Sequence, residues 1–225
     1  MKYLRLIATV LVISSLAWQV TFAEEPRQRL SEPRVLPVPE SEWTQARKDA
    51  AKKGPQYNIM TTMARHPELA KTWGQFAGYI LRRSTLPDRH RELVTLRIGW
   101  LCYAEYEFGQ HTRLGKEAGL SEEEILRVTK GPDAAGWTDF ERVLLTAVDE
   151  LYTDSFISDA TWEGLAAEYG VHQIMDMVFT VGEYNMVSMA LNTFGVQLDS
   201  GIPGFPDEAD KDSGIRRNPI IESSE

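Results

Sequence analysis

The sequence predicts an all-α protein, a bundle of helices around one core. Three observations predict it. Apolar residues recur at three- and four-residue spacing along most of the chain, helix caps and Gly or Pro stops divide it repeatedly, and no alternation runs long enough to build a sheet. At 225 residues and 43% hydrophobic content, the chain fits one sizeable domain.

Lys2 and Arg5 precede an apolar run over residues 6–18, followed by small or neutral residues up to Ala23 and then the acidic Glu24 and Glu25. This is the order of a secretory signal peptide over 1–23. The run is too short to span a bilayer comfortably, so cleavage is favoured over an uncleaved anchor. The mature protein is therefore expected to be secreted or periplasmic, without stable membrane insertion. Loss of Lys2 and Arg5 removes two cations and no acid, taking the formal charge from −9 to −11. So acidic a chain lacks the clustered Lys and Arg that displace phosphate counterions, which argues against nucleic acid as a partner. The lone Cys102 excludes an intramolecular disulfide.

Four prolines among charges make residues 24–40 an extended arm, able to wrap a partner subunit, and residues 24–57 form the arm plus an N-terminal helix. Ser41 is the expected cap of that helix, which Gly54 and Pro55 stop after Lys53. A short apolar turn starts at Asn58, where the main domain, 58–200, begins. Pro67 opens the next helix, with Leu69, Trp73, Phe76 and Ile80 as its buried stripe and Arg82 and Arg83 at its end. Pro87 and Asp88 start another, carrying Glu92 and then Leu93, Leu96 and Trp100. A helix over about 104–118 is closed by Gly119, with Leu120 as the contact after the cap. Ser121 with Glu124, and Thr138 with Glu141, read as capping boxes. Ser158 or Asp159 caps a helix that runs through Tyr169. Residues 171–193 form the longest apolar-rich segment, apolar on more than one face and so destined for the core or a subunit interface. From Gly201 to 225 the chain is a polar, breaker-rich tail expected to be disordered.

Residues 91–124 carry the chemistry. Glu107 and His111 lie four apart on one helical face, and Glu92 lies in the preceding helix within an apolar frame. Two carboxylates and an imidazole converging on an apolar pocket cannot all be charged at low cost. Crowding and burial raise the pKa of one carboxylate, leaving a proton donor beside an acceptor. The plain alternatives are an exposed Glu107–His111 pair and a first-turn carboxylate at Glu92. A metal site from the three is chemically conceivable but has no clear supporting shell, and none is assigned. Tyr106 directly precedes Glu107 and is placed at the pocket rim, with Tyr103 and Trp100 as further aromatic candidates for substrate binding. Arg83, or Arg82 beside it, could hold a substrate carboxylate. His66 and His90 read as capping or surface residues, and His172 as the opening of a helix.

The run Arg91-Glu92-Leu93, then Tyr106-Glu107 and His111, then Gly119-Leu120-Ser121 with its acidic residues, resembles the carboxymuconolactone decarboxylase family, including its alkylhydroperoxidase D-like branch. The match covers mainly residues 67–128. It implies an alkylhydroperoxidase D-like helical bundle that is oligomeric. In the redox branch two cysteines separated by two residues precede the His, the second four residues before it. Here those positions are Ala104 and Glu107, and Cys102 lies two residues too early. A single thiol cannot form the intramolecular disulfide of that chemistry. A Glu four residues before the His is what the decarboxylase branch looks like.

The expected function is therefore cofactor-independent, decarboxylase-like acid–base chemistry on a small organic acid or lactone, with Glu92, Glu107 and His111 as the catalytic set. Two rivals stand beside it. One is a redox protein using Cys102 with a partner thiol; the other is a non-catalytic oligomeric protein that binds a small molecule. The expected partners are a small-molecule substrate and further copies of the chain.

Overall fold

A computed structural model describes residues 30–206 and Ala209. The expected signal segment and most of the expected tail lie outside the described residues. Among the described residues a 3₁₀ turn, Glu40–Glu42, precedes nine helices: α1 (Gln45–Ala51), α2 (Asn58–Met63), α3 (Pro67–Arg83), α4 (Asp88–Leu101), α5 (Glu105–Glu117), α6 (Glu122–Lys130), α7 (Asp139–Asp154), α8 (Asp159–Glu168) and α9 (Val171–Phe194). None is long and apolar enough to cross a membrane.

α4 is the axle of the bundle, packed by α5, α6, α7 and α9. Every residue from Glu92 to Leu101 is buried, so α4 has no solvent stripe and is held by contacts all round. On one side Val94, Ile98 and Leu101 join Leu144, Val148, Leu165, Met177 and Val181. On another, Leu93, Leu96 and Trp100 join Phe108, Ile125, Val128 and Leu145. Burying Arg97 in this setting requires full pairing. It donates twice to Asp149, at 2.7 and 2.8 Å, and also to the carbonyls of Val128 and Thr129.

The expected stops and caps reappear as geometry. Gly119, at φ +89°, reverses the chain after α5, and the Leu120 amide returns to the Gly115 carbonyl. Ser121 with Glu124 and Thr138 with Glu141 form complete capping boxes, and Ser158 caps α8. Between α4 and α5 the left-handed residue is Tyr103, at φ 54°. A non-glycine residue there stores a small strain, about 1 kcal/mol or more. The turn it makes sends α5 back along α4, where Gly115 lets the helices approach beside Leu96 and the Cβ of Glu92.

Three expectations change. Ser41 does not cap the first helix. The Trp43 backbone stays extended while its indole donates to the Val38 carbonyl, so the cap falls to Thr44. The described part of the arm packs on its own chain: the amides of Arg34 and Val35 bond the Phe194 carbonyl, and that of Val38 bonds the Thr61 carbonyl. The stripe of α3 is buried only at Ile80, while Leu69 and Phe76 are exposed. Finally, the packed domain continues past residue 200. Phe205 is buried, with ring centroids 5.0 Å from Trp100 and 5.3 Å from Phe108. Gly109 has no room for a Cβ because the Pro203 carbonyl occupies that space.

α9 divides its apolar residues between two faces. Ile174, Met177, Val181, Tyr184, Val187 and Leu191 point inward, whereas Val171, Met175, Phe179, Met186 and Met189 are exposed.

Candidate functional site

Helical geometry sets Glu107 and His111 one above the other on α5, and Glu107 Oε1 lies 3.0 Å from His111 Nε2. The second ring nitrogen meets α4: His111 Nδ1 lies 2.6 Å from Glu92 Oε2. The three residues named from sequence are thus brought together, with the imidazole clasped between two carboxylates. Behind them Arg91 donates from Nε to the other oxygen of Glu92, at 3.0 Å, and from Nη1 to Asp88. Tyr184 from α9 packs against the His111 ring in a T-shaped pair at 4.8 Å between centroids.

While both carboxylates are ionised, His111 donates from both ring nitrogens, which is the protonated form. Burial works against that charge, but the attraction of Glu92 and the bonds to both carboxylates outweigh it and push the pKa up to about 9. Burial also opposes ionisation of Glu92, and it too is outweighed: the His111 charge and its bond, helped by Arg91, hold Glu92 below the usual carboxylate range. Crowding therefore does not leave Glu92 as the protonated carboxyl.

A cavity of about 430 Å³ opens on the Glu107 side of this cluster, between α2, α3, α5 and α9. Glu107 and His111 line it; Glu92 stands behind His111, out of the lining. The carboxyl that burial raises comes from α9. Glu183 is 2% exposed and lines the same cavity. Its Oε1 accepts a bond from Trp73 Nε1 at 2.7 Å, while its Oε2 is buried with no partner. Burial lifts Glu183 to about 7, with Glu107 adding to the rise and the Trp73 bond partly opposing it.

The aromatic and arginine candidates separate. Tyr106 lines the cavity, but its hydroxyl is committed to the frame, donating to Asp199 Oδ2 at 2.6 Å and accepting from the Ile59 amide. Trp100 and Tyr103 pack against Phe205 on the other side of α4 and α5, away from the cavity. Arg83 is exposed and stacks on Tyr79; Arg82 and Arg113 are the arginines of the cavity lining. Cys102 caps α4, and its thiol lies 3.3 Å from Asn185 Oδ1, outside the cavity. His66 caps α3, as read from sequence, but His90 is a packing residue, 2.6 Å from the Tyr169 hydroxyl. Sequence reasoning missed Glu183, Trp73 and Tyr184. The available signal was a pair of acids, Asp176 and Glu183, standing alone in the apolar run of α9.

Residues 67–150 match the model of the carboxymuconolactone decarboxylase family, a stretch that contains Glu92, Glu107 and His111. That match, with the fold, supports a carboxymuconolactone decarboxylase/AhpD-like family for the helical domain. Solved structures share its fold. An Agrobacterium tumefaciens protein of unknown function, named as a candidate antioxidant defence protein AhpD, is 23% identical with a TM-score of 0.57, covering 61% of this chain and 94% of its own. The debrominase Bmp8, solved as a cysteine-to-alanine variant with 2,3,4-tribromopyrrole, is 14% identical with a TM-score of 0.62, covering 76% of this chain and 94% of its own. An uncharacterized peroxidase-related protein from Ralstonia eutropha with an alkylhydroperoxidase AhpD core is 15% identical with a TM-score of 0.62, covering 78% of this chain and 94% of its own. No curated protein matches. The family match supports a related enzyme or peroxidase-like function. It ends before α9, so Glu183 lies outside the matched stretch.

Proposed function

We propose that the protein catalyses cofactor-independent acid–base chemistry on a small organic acid or lactone, of the decarboxylation, isomerisation or ring-opening type. The observation that carries this reading is the clasped His111: its partner Glu107 opens onto a cavity of small-molecule size, while the one thiol lies elsewhere. Glu107 is the group placed to take a proton. His111, held protonated, steadies the carboxylate and can return a proton to it, and Glu92 with Arg91 fixes the ring from behind. General acid–base help of this kind contributes roughly 10²–10⁴-fold. Arg82 and Arg113 line the same cavity and supply positive charge for an acidic substrate.

The mature protein is proposed to act outside the cytoplasm, on the strength of the residue 1–23 pattern. It is also proposed to self-associate through the outer face of α9. Val171, Met175, Phe179, Met186 and Met189 there form a ridge, with Phe76 of α3 meeting Phe179 edge-on at 6.2 Å, and ridges of this kind mark interaction surfaces.

The test is a panel of lactones, small hydroxy acids and peroxides assayed with a chelator present. Glu107→Gln and His111→Ala are expected to lower turnover about 10²-fold or more with helix content intact, and Cys102→Ser to leave it unchanged. Peroxide consumption that disappears only in the Cys102 variant would replace this reading with a thiol mechanism.

A further inference from the structure

We infer that Glu183 is the proton donor of the cavity, presenting the hydroxyl at its Oε2 to the carbonyl oxygen of the compound whose carbon Glu107 deprotonates. This deepens the acid–base reading above and rests on it. The geometry comes first. Glu183 reaches the cavity from α9, while Glu107 and His111 reach it from α5, so a bound molecule lies between an acid and a base from different helices. Oε1 is fixed by the Trp73 indole, which orients the carboxyl group. Oε2 has no protein partner, and the Glu183 side chain belongs to the cavity wall. A buried polar atom left unpaired is costly, and such atoms are normally satisfied. A proton on Oε2 removes the charge, and a ligand oxygen in the cavity supplies the missing partner.

The neighbours set the balance of charge. Glu107, His111 and Arg113 of α5, Arg82 of α3 and Tyr184 of its own helix line the same cavity as Glu183. Glu92 and Arg91 stand behind His111 on α4, where their fields reach Tyr184. Among these, Glu107 is the charge that raises Glu183, and burial is the larger cause. The result is a carboxyl close to half protonated at neutral pH, the condition under which a general acid is most effective.

In the step proposed, the carbon–hydrogen bond beside the carbonyl breaks and its proton passes to Glu107. The electron pair becomes the carbon–carbon double bond of an enol, and the carbonyl oxygen takes the proton from Glu183 Oε2. Glu183 is left as a carboxylate that still accepts from Trp73. When the enol collapses, its hydroxyl proton returns to Glu183 and Glu107 delivers its proton to a carbon of the substrate. The net change is a proton shift, with both carboxyls restored. The substrate class is thus a small organic acid or lactone whose carbonyl oxygen reaches Glu183 while its acidic carbon reaches Glu107.

Two measurements on the mature protein test this, one needing no substrate. Carbon-13 NMR of labelled glutamate side chains should show a carboxyl titrating near 7 that is missing in Glu183→Gln. That titration should move up in Trp73→Phe, which removes the bond favouring the ionised form, and down in Glu107→Gln, which removes the repelling charge. With a β,γ-unsaturated butenolide as probe, Glu183→Gln should lower kcat about 10²-fold and erase the limb near neutral pH from the rate profile, since Gln keeps the acceptor for Trp73 but carries no acidic proton. Titration of Glu183 near 4.5 in the wild type, or an unchanged kcat and pH profile in Glu183→Gln, would overturn the assignment. Should Glu107→Gln and His111→Ala silence the enzyme while Glu183→Gln does not, the donor falls alone. Should the titration behave as expected while no lactone or organic acid is turned over, the proposed function falls and Glu183 remains the neutral acid of the cavity.

Discussion

Asp176 and Glu183 are the two acids of α9, seven residues and about two turns apart on its inward side, and they end in opposite states. Asp176 is met by three donors: the Thr85 amide at 2.6 Å, the Thr85 hydroxyl at 2.8 Å and the Tyr79 hydroxyl at 2.8 Å. Burial presses its pKa upward, but the bonds from Thr85 and Tyr79 outweigh it, and Asp176 stays below the usual range. Glu183 is met by one donor and keeps an unpaired oxygen beside a cavity, so burial prevails and it rises to about 7. Both acids are nearly closed to solvent, 6% and 2% exposed, but Glu183 is surrounded more deeply by protein, so burial weighs more on it. What separates the two carboxyls is therefore the depth of burial together with the number of donors that neighbouring elements supply.

That contrast can be broken most severely at Asp176. Asp176→Ala orphans the Thr85 amide, at the turn between α3 and α4, together with two hydroxyls. The expected loss is on the order of 4 kcal/mol of unfolding free energy by urea titration, with the pH profile of turnover keeping its shape. A loss below 1 kcal/mol would show that the three bonds add little to the fold.

At Glu183 the expected effect depends on pH, and its sign follows from linkage. The carboxyl holds its proton up to about 7 in the folded protein but only to 4.5 when unaltered by folding. Between those values the folded state binds the extra proton, so this group's contribution to stability is full below pH 4.5 and is lost as the pH rises through 7. Glu183→Gln has no such loss. Relative to wild type it should gain up to about 3 kcal/mol on going from acidic to alkaline pH, as read from urea midpoints across that range. A pH-independent difference would mean that Glu183 ionises normally.

The smallest change sharpens the contrast. Thr85→Val removes one of the three donors to Asp176 and should cost about 1 kcal/mol, while moving the pKa of Asp176 upward, toward the behaviour of Glu183. An unmoved Asp176 titration would place its control in the Thr85 amide and Tyr79 instead.

The two acids also mark how far the sequence can be read. Capping boxes at Ser121 and Thr138 and the stop at Gly119 are written in adjacent residues, and they reappear as geometry because caps are local hydrogen bonds. The α1 cap falls at Thr44 rather than Ser41 because the Trp43 indole bonds to the arm beside an extended backbone, a contact no capping pattern contains. Tyr103 and Trp100, chosen as aromatics near Glu107 in sequence, face away from it because the left-handed turn at Tyr103 reverses the chain and Phe205 returns to cover them.

By itself the sequence determined the all-helical fold, the breaks between its helices and the pairing of Glu107 with His111, since a helix necessarily stacks residues four apart. Only the tertiary structure decided that Glu92 would fill the second side of the imidazole, that Trp73 would reach Glu183 across 110 positions of chain, and that one oxygen of Glu183 would find no donor. The physical reason is that a carboxyl's charge state is set by burial and by the count of donors around it. Those donors arrive from helices whose separation along the chain leaves no trace in spacing or periodicity.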